Sequence, residues 1–193
     1  MNVYGLIFLK RELILNKRKN ILEFGSGLST IFLALVIKRM KLEATITTIE
    51  SDSDWVSIIE EKIFFYHLED IITIVYAPLV DSQEEVNDQK WYNPEIILNV
   101  IKDKGLFDMV VIDGPPAFYD EIKLSRYNAL PFIQKFLGDS YTIFLDDAIR
   151  PGEKRIMELW KENLQVHFLV YEHQIAVSRK GLFLSSHPNW VYQ

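Results

Sequence analysis

Short apolar runs closed by glycine, proline or aspartate alternate with longer segments of helical periodicity along most of the chain, and this alternation constrains the fold more than any other feature. A strand buried on both faces reads as a continuous apolar run, and a helix must return the chain before the next parallel strand can begin, so the pattern predicts a parallel sheet covered by helices. Strands are expected at 21–24, 44–49, 71–76, 107–112 and 141–145. Helices are expected at 29–40, 53–68, 94–104, 120–137 and 151–163, the fourth bent at Pro131. Ser53 is the expected cap of the second of these. Ile31, Leu35 and Met40 are core candidates on the first, and Trp55, Ile58, Ile59, Ile63 and Phe64 form an apolar stripe on the second. The polar stretch 81–89 reads as a loop. Strands at 166–171 and 175–179 are separated by only Glu172, His173 and Gln174, which forces an antiparallel hairpin.

The chain has 193 residues, which predicts one domain over 1–193, with a helix within 1–20 and a tail at 181–193. Its formal net charge of −6 gives no reason to expect nucleic acid or an anionic membrane as partner. The absence of cysteine excludes disulfides, thiolate metal sites and cysteine nucleophiles together. No apolar stretch approaches the roughly 20 residues that span a bilayer. The expectation is a soluble cytoplasmic protein acting on a small molecule, with homodimerisation left open.

Glu23-Phe24-Gly25-Ser26-Gly27 lies at the first strand-to-helix turn. Glycine there lets the backbone turn sharply and approach a ligand, while amides at the start of the next helix attract a negative group. Dinucleotides and S-adenosylmethionine both use such a turn. A dinucleotide fingerprint places a third glycine where this chain has Thr30, and a pyrophosphate would be repelled by Glu23. S-adenosylmethionine brings an ammonium for Glu23 and a carboxylate for the loop amides, so the acid favours that ligand. Glu50 closes the second strand and suits the two ribose hydroxyls of either ligand. A capping role beside Ser51 and Asp52 is the structural alternative for Glu50.

With Ile-Leu-Glu-Phe-Gly-Ser-Gly at 21–27, Thr-Ile-Glu at 48–50 and Phe-Asp-Met-Val-Val-Ile-Asp-Gly at 107–114, the chain resembles the class I S-adenosylmethionine-dependent methyltransferases over residues 20–180. The resemblance implies an α/β, Rossmann-like doubly wound fold. Its seven-stranded, mostly parallel sheet would have the order 3-2-1-4-5-7-6 and an antiparallel C-terminal hairpin. It also implies cofactor contacts from Glu23, Gly25, Ser26, Gly27, Ser29, Thr30, Glu50, Ser51, Ala77 and Asp113. The chain departs from the family after strand three, where Tyr76-Ala77-Pro78 replaces the usual acid or amide that reads adenine. Backbone groups and apolar faces are the expected substitutes.

Asp113 after strand four and Asp146-Asp147 after strand five should converge beside the glycine loop, because ligands in open parallel sheets lie beyond the carboxyl ends of the strands. Three carboxylates in one mouth repel one another unless a cation joins them, and Mg²⁺ would do so. Metal-dependent O-methyltransferases of the catechol and caffeoyl-coenzyme A type hold their cation at these positions. The resemblance thus makes Asp113, Asp146 and Asp147 metal ligands and Asp113 and Asp147 catalytic. The lysine those enzymes carry after the strand-four acid is absent here, where Gly114-Pro115-Pro116 stands. A purely structural reading has Asp146 and Asp147 end a strand and cap a helix, with Arg126 or Arg150 as pairing cation. The stretch 81–94, anchored by Trp91 and Tyr92, is expected either to cover the pocket or to join the core. None of His67, His167, His173 and His187 has a partner at metal-ligand spacing.

These features predict O-methylation of a small-molecule or sugar hydroxyl. The alternatives are a methyltransferase-like nucleoside-binding protein without activity and an NAD-dependent oxidoreductase.

Overall fold

The computed structural model describes residues 1–82, 89–117, 122–172 and 174–184. The strands β1 (Asn20–Phe24), β2 (Thr45–Glu50), β3 (Ile72–Tyr76), β6 (Phe107–Ile112), β7 (Leu137–Leu145), β8 (Leu169–Tyr171) and β9 (Ile175–Lys180) form one sheet in the order β3-β2-β1-β6-β7-β9-β8. Counting only this sheet's strands, that is the order 3-2-1-4-5-7-6. The five strands from β3 to β7 run parallel, whereas β9 is antiparallel to both β7 and β8.

The period of two along each strand separates two cores. Leu22, Phe24, Val110, Ile112, Ile143 and Leu145 face α4 (Pro94–Ile101), α5 (Ala129–Ile133) and α6 (Pro151–Leu164). Ile21, Met109, Val111 and Phe144 face α1 (Val3–Leu15), α2 (Leu28–Met40) and α3 (Ser53–Phe65). A hydroxyl-rich ion network fixes α1 to the sheet: Glu12 accepts from Thr142 at 2.6 Å, from Arg18 Nη2 at 3.0 Å and from Arg179 Nη2 at 3.1 Å. Each buried ion thereby finds several partners, which offsets its desolvation.

Several local expectations are corrected. Asp52, not Ser53, caps α3, accepting from the amides of Asp54 and Trp55. The buried stripe of α3 is Val56, Ile59 and Ile63, leaving Ile58 exposed and Phe64 72% exposed. On α2 the buried set includes Ile31, Ala34 and Ile37, while Leu35 and Met40 face solvent. Both helices carry apolar residues around most of their circumference, so periodicity alone leaves the buried face ambiguous and contact with the sheet decides it.

The helix α4 stops at Ile101 rather than at 104. The expected helix over 120–137 is broken into a 3-10 turn at Ser125–Asn128, the short α5, and a second 3-10 turn at Gln134–Phe136. Pro131 falls in the first turn of α5, where a missing N–H costs least. Strand β7 begins at Leu137, earlier than expected, since Leu137 pairs with Phe107. β8 is confined to Leu169–Tyr171. The expected 81–89 loop is flanked by sheet and loses only Asp81 to it: β4 (Leu79–Asp81) pairs antiparallel with β5 (Lys90–Tyr92). Residues 83–88 of that loop lie outside the described residues, as do 118–121, His173, His187 and most of the tail. The described part of the tail is tied to the end of α1 by Asn16, which accepts from the Leu184 amide at 2.6 Å and donates to its carbonyl at 3.0 Å. No helix among the described residues is long and apolar enough to cross a membrane.

Candidate active site

A cleft of about 450 Å³ opens at the carboxyl ends of β1, β2, β6 and β7. Its lining includes Gly25, Ser26, Glu50, Asp113 and Asp147 from the expected set, joined by Asp52, Trp55, Tyr92, Gly114, Pro116, Arg126 and Arg150. The parallel strands deliver these residues together because each ends at the same edge of the sheet.

The turn after β1 depends on Gly25. Its φ is +92°, and a Cβ there would lie 2.7 Å from the Gly114 nitrogen. Two loops therefore pass each other without side chains, fixed by amide donation from both Asp113 (3.0 Å) and Gly114 (2.7 Å) to the Phe24 carbonyl. Glu50 holds the far side of the same turn. Its Oε2 accepts from Ser26 N at 3.1 Å and Ser26 Oγ at 3.0 Å, and its Oε1 from the amides of Ser51 at 2.6 Å and Asp52 at 3.1 Å. The capping alternative for Glu50 and its place in the cleft thus coexist.

Glu23, expected at the ligand's ammonium, points the other way. Alternation along β1 turns it beneath the start of α2, 1% exposed, where it accepts from Ser29 at 2.6 Å, Thr48 at 2.9 Å and Thr30. Burial pushes its carboxyl up to about 7, against the pull of those three hydroxyls. Ser29 and Thr30 are likewise buried beneath the loop, Thr30 accepting from the Gly27 amide at 2.9 Å, and Ala77 is fully buried in the core. Their contribution is to hold the turn's shape from below.

Asp113, Asp146 and Asp147 do converge, offering one oxygen each within 4.8 Å of one another. Burial first, and Asp113 second, push Asp146 up to about 6. The α-ammonium of Met1 lies 3.3 Å from Asp113 and 3.1 Å from Asp146, so the cluster attracts positive charge. Arg126, 2% exposed, reaches Asp147 at 3.4 Å and Glu153 at 3.2 Å, and donates to the backbone carbonyls of Asp113, Asp146 and Pro115. Arg150 pairs with Asp147 at 2.8 Å. The donor set has the chemistry a hard divalent cation takes, since all three groups are carboxylates. The arginines make the structural pairing real as well.

Sequence reasoning missed the cleft roles of Trp55 and Asp52, whereas Tyr92, expected either over the pocket or in the core, is buried in the core and lines the cleft as well. Trp55 looks like core because it begins an apolar stripe, yet it is 41% exposed, with its Nε1 donating to the Ser26 carbonyl at 2.9 Å. That bond fixes an indole face at the mouth. The usable signal was position: Asp52 and Trp55 follow Glu50 across the helix start, on the ligand side of the sheet.

Comparison with known proteins places the fold. It superposes on a candidate caffeoyl-CoA O-methyltransferase from Staphylococcus aureus with a TM-score of 0.67 and 18% identity, covering 94% of this chain and 85% of that one. An O-methyltransferase from Bacillus cereus in complex with S-adenosylhomocysteine gives a TM-score of 0.66 and 19% identity, covering 93% and 82%. The O-methyltransferase of tomaymycin synthesis from Streptomyces achromogenes, in complex with S-adenosylmethionine, gives 0.65 and 15%, covering 94% and 82%. No family model matches the sequence, and neither does any curated protein. The chain has the Rossmann-like fold of S-adenosylmethionine-dependent O-methyltransferases.

Proposed function

We propose that the protein is an S-adenosylmethionine-dependent O-methyltransferase acting on a small-molecule or sugar hydroxyl, with Mg²⁺ held by Asp113, Asp146 and Asp147. The observation that carries this reading is the shared cleft: the Gly25 turn, Glu50, Asp113 and Asp147 line one space of small-ligand size, and Asp146 offers an oxygen within 4.8 Å of those of the other two aspartates. The ligands named for the neighbouring structures, S-adenosylmethionine and S-adenosylhomocysteine, support it.

In this reading Glu50 accepts hydrogen bonds from the ribose hydroxyls, which compete with Ser26 for Oε2. Trp55 offers an aromatic face to the base, standing in for the missing acid or amide after β3. S-adenosylmethionine supplies a methyl group on a sulfonium, and Mg²⁺ would supply a Lewis acid that eases loss of the acceptor proton. Asp113 or Asp147 takes that proton, and the cleft walls hold donor and acceptor in line.

Calorimetry with S-adenosylmethionine, S-adenosylhomocysteine and NAD, each with and without Mg²⁺, tests this. The expected result is micromolar binding of the first two and none of NAD. Binding of NAD alone would sink the reading, and Mg²⁺ that neither binds nor alters methyl transfer would reduce the three aspartates to partners of Arg126 and Arg150.

A further inference from the structure

Tyr92 ends β5 and is wholly buried, its ring stacked on Phe24 at 6.0 Å and edge-on to Trp91 at 5.0 Å. Its hydroxyl does not share the satisfaction of its ring. Among the described residues Oη has no hydrogen-bond partner, and the residue lines the cleft together with Gly25, Glu50, Asp113 and Gly114. Burial, reinforced by the nearby Glu50 carboxylate, keeps the phenol well above its ordinary pKa, so it is a neutral donor in the working range.

The approach of this hydroxyl to the cleft is built into two loops. A Cβ on Gly114 would overlap Tyr92 Oη, and one on Gly25 would run into Gly114. Glycine at both positions opens the gap through which the phenol reaches the cleft floor. A buried hydroxyl without a partner destabilises a fold, and phenylalanine would meet every packing need of the ring. The polar atom therefore has its use in the liganded protein.

We propose that Tyr92 is a ligand-binding residue whose hydroxyl donates a hydrogen bond to an oxygen of the nucleoside half of the ligand in this cleft. The inference rests on the reading of the cleft as an S-adenosylmethionine site. The nucleoside half is chosen because Tyr92 lines the cleft together with Glu50, the acid that this reading sets at the ribose.

The test is Tyr92→Phe, measured by calorimetry with S-adenosylhomocysteine and with 5′-methylthioadenosine, which lacks the amino-acid half, and by thermal unfolding of the ligand-free protein. The variant is expected to lose about five- to tenfold in affinity for both ligands. The ligand-free Tm should stay level or rise by about 2–4 °C, because an unpaired hydroxyl has gone. Equal affinities in the two proteins would overturn the proposal. So would a loss confined to S-adenosylhomocysteine, which would move the contact to the amino-acid half, or a lowered ligand-free Tm, which would make the hydroxyl a packing group. If the wild-type protein binds neither ligand, the cofactor reading itself fails, and this proposal with it.

Discussion

Glu23 shows how one residue's environment redefines its role. Its carboxyl, raised from 4.5 to about 7 by burial, gives the protein a defined pH dependence. Below 4.5 the folded and unfolded chains both hold the proton and its stabilising contribution is complete. Between 4.5 and 7 only the folded chain keeps the proton, so stability falls as pH rises, and above 7 the loss is finished. The effect is on the order of 3 kcal/mol. Glu23→Gln cannot ionise and should lack this fall, so the Tm of the wild type should drop relative to the variant across that window. A constant Tm difference from pH 4 to 8 would refute the buried, shifted carboxyl. The sequence made the presence of an acid at the turn legible, but not its direction. Period-two alternation from Leu22 and Phe24, both facing the opposite core, would have turned Glu23 away from their side of the sheet.

At the scale of elements, Arg126 ties together pieces far apart in sequence. It joins the loop after β6, the loop after β7 and Glu153 on α6 through contacts from a single buried guanidinium. Removing it takes the 3.2 Å ion pair from the buried Glu153, while Asp147 keeps Arg150. Arg126→Ala is therefore expected to cost about 3–5 kcal/mol of stability, read by denaturant unfolding. A change below 1 kcal/mol would show that the cluster is solvated instead. The alternation of strands and helices was legible because each element is long enough to show its period. The stretch around Ser125–Phe136 was not, since an apolar run with Pro131 in it suits one bent helix as well as the three short turns that form. The β4–β5 ribbon was hidden for a related reason: strands of three residues each carry too little pattern to stand out from a polar loop.

For the whole molecule, the cleft draws its walls from strands on both sides of β1, so a ligand there contacts loops that the sheet holds only by their ends. S-adenosylhomocysteine at one hundred times its Kd should stabilise the fold by about 2.7 kcal/mol. That corresponds to a Tm rise of about 5–11 °C for a chain of this size, measurable by scanning calorimetry. No shift at saturating ligand would contradict binding to the folded state. The position of the cleft was legible as soon as a parallel sheet was, because its strand ends define where ligands go. The identity of the residues that complete it, Trp55 above all, depends on packing that no local pattern records, and for Tyr92 the sequence left pocket and core open.

The closeness of Gly114 to Tyr92 Oη carries a consequence for molecular history. A Cβ at 114 would meet not only that hydroxyl but also the Gly25 Cα at 2.8 Å, so a shorter side chain at 92 would not make room for it, and sequences descended from a common ancestor with this one should keep glycine at 114 whatever stands at 92.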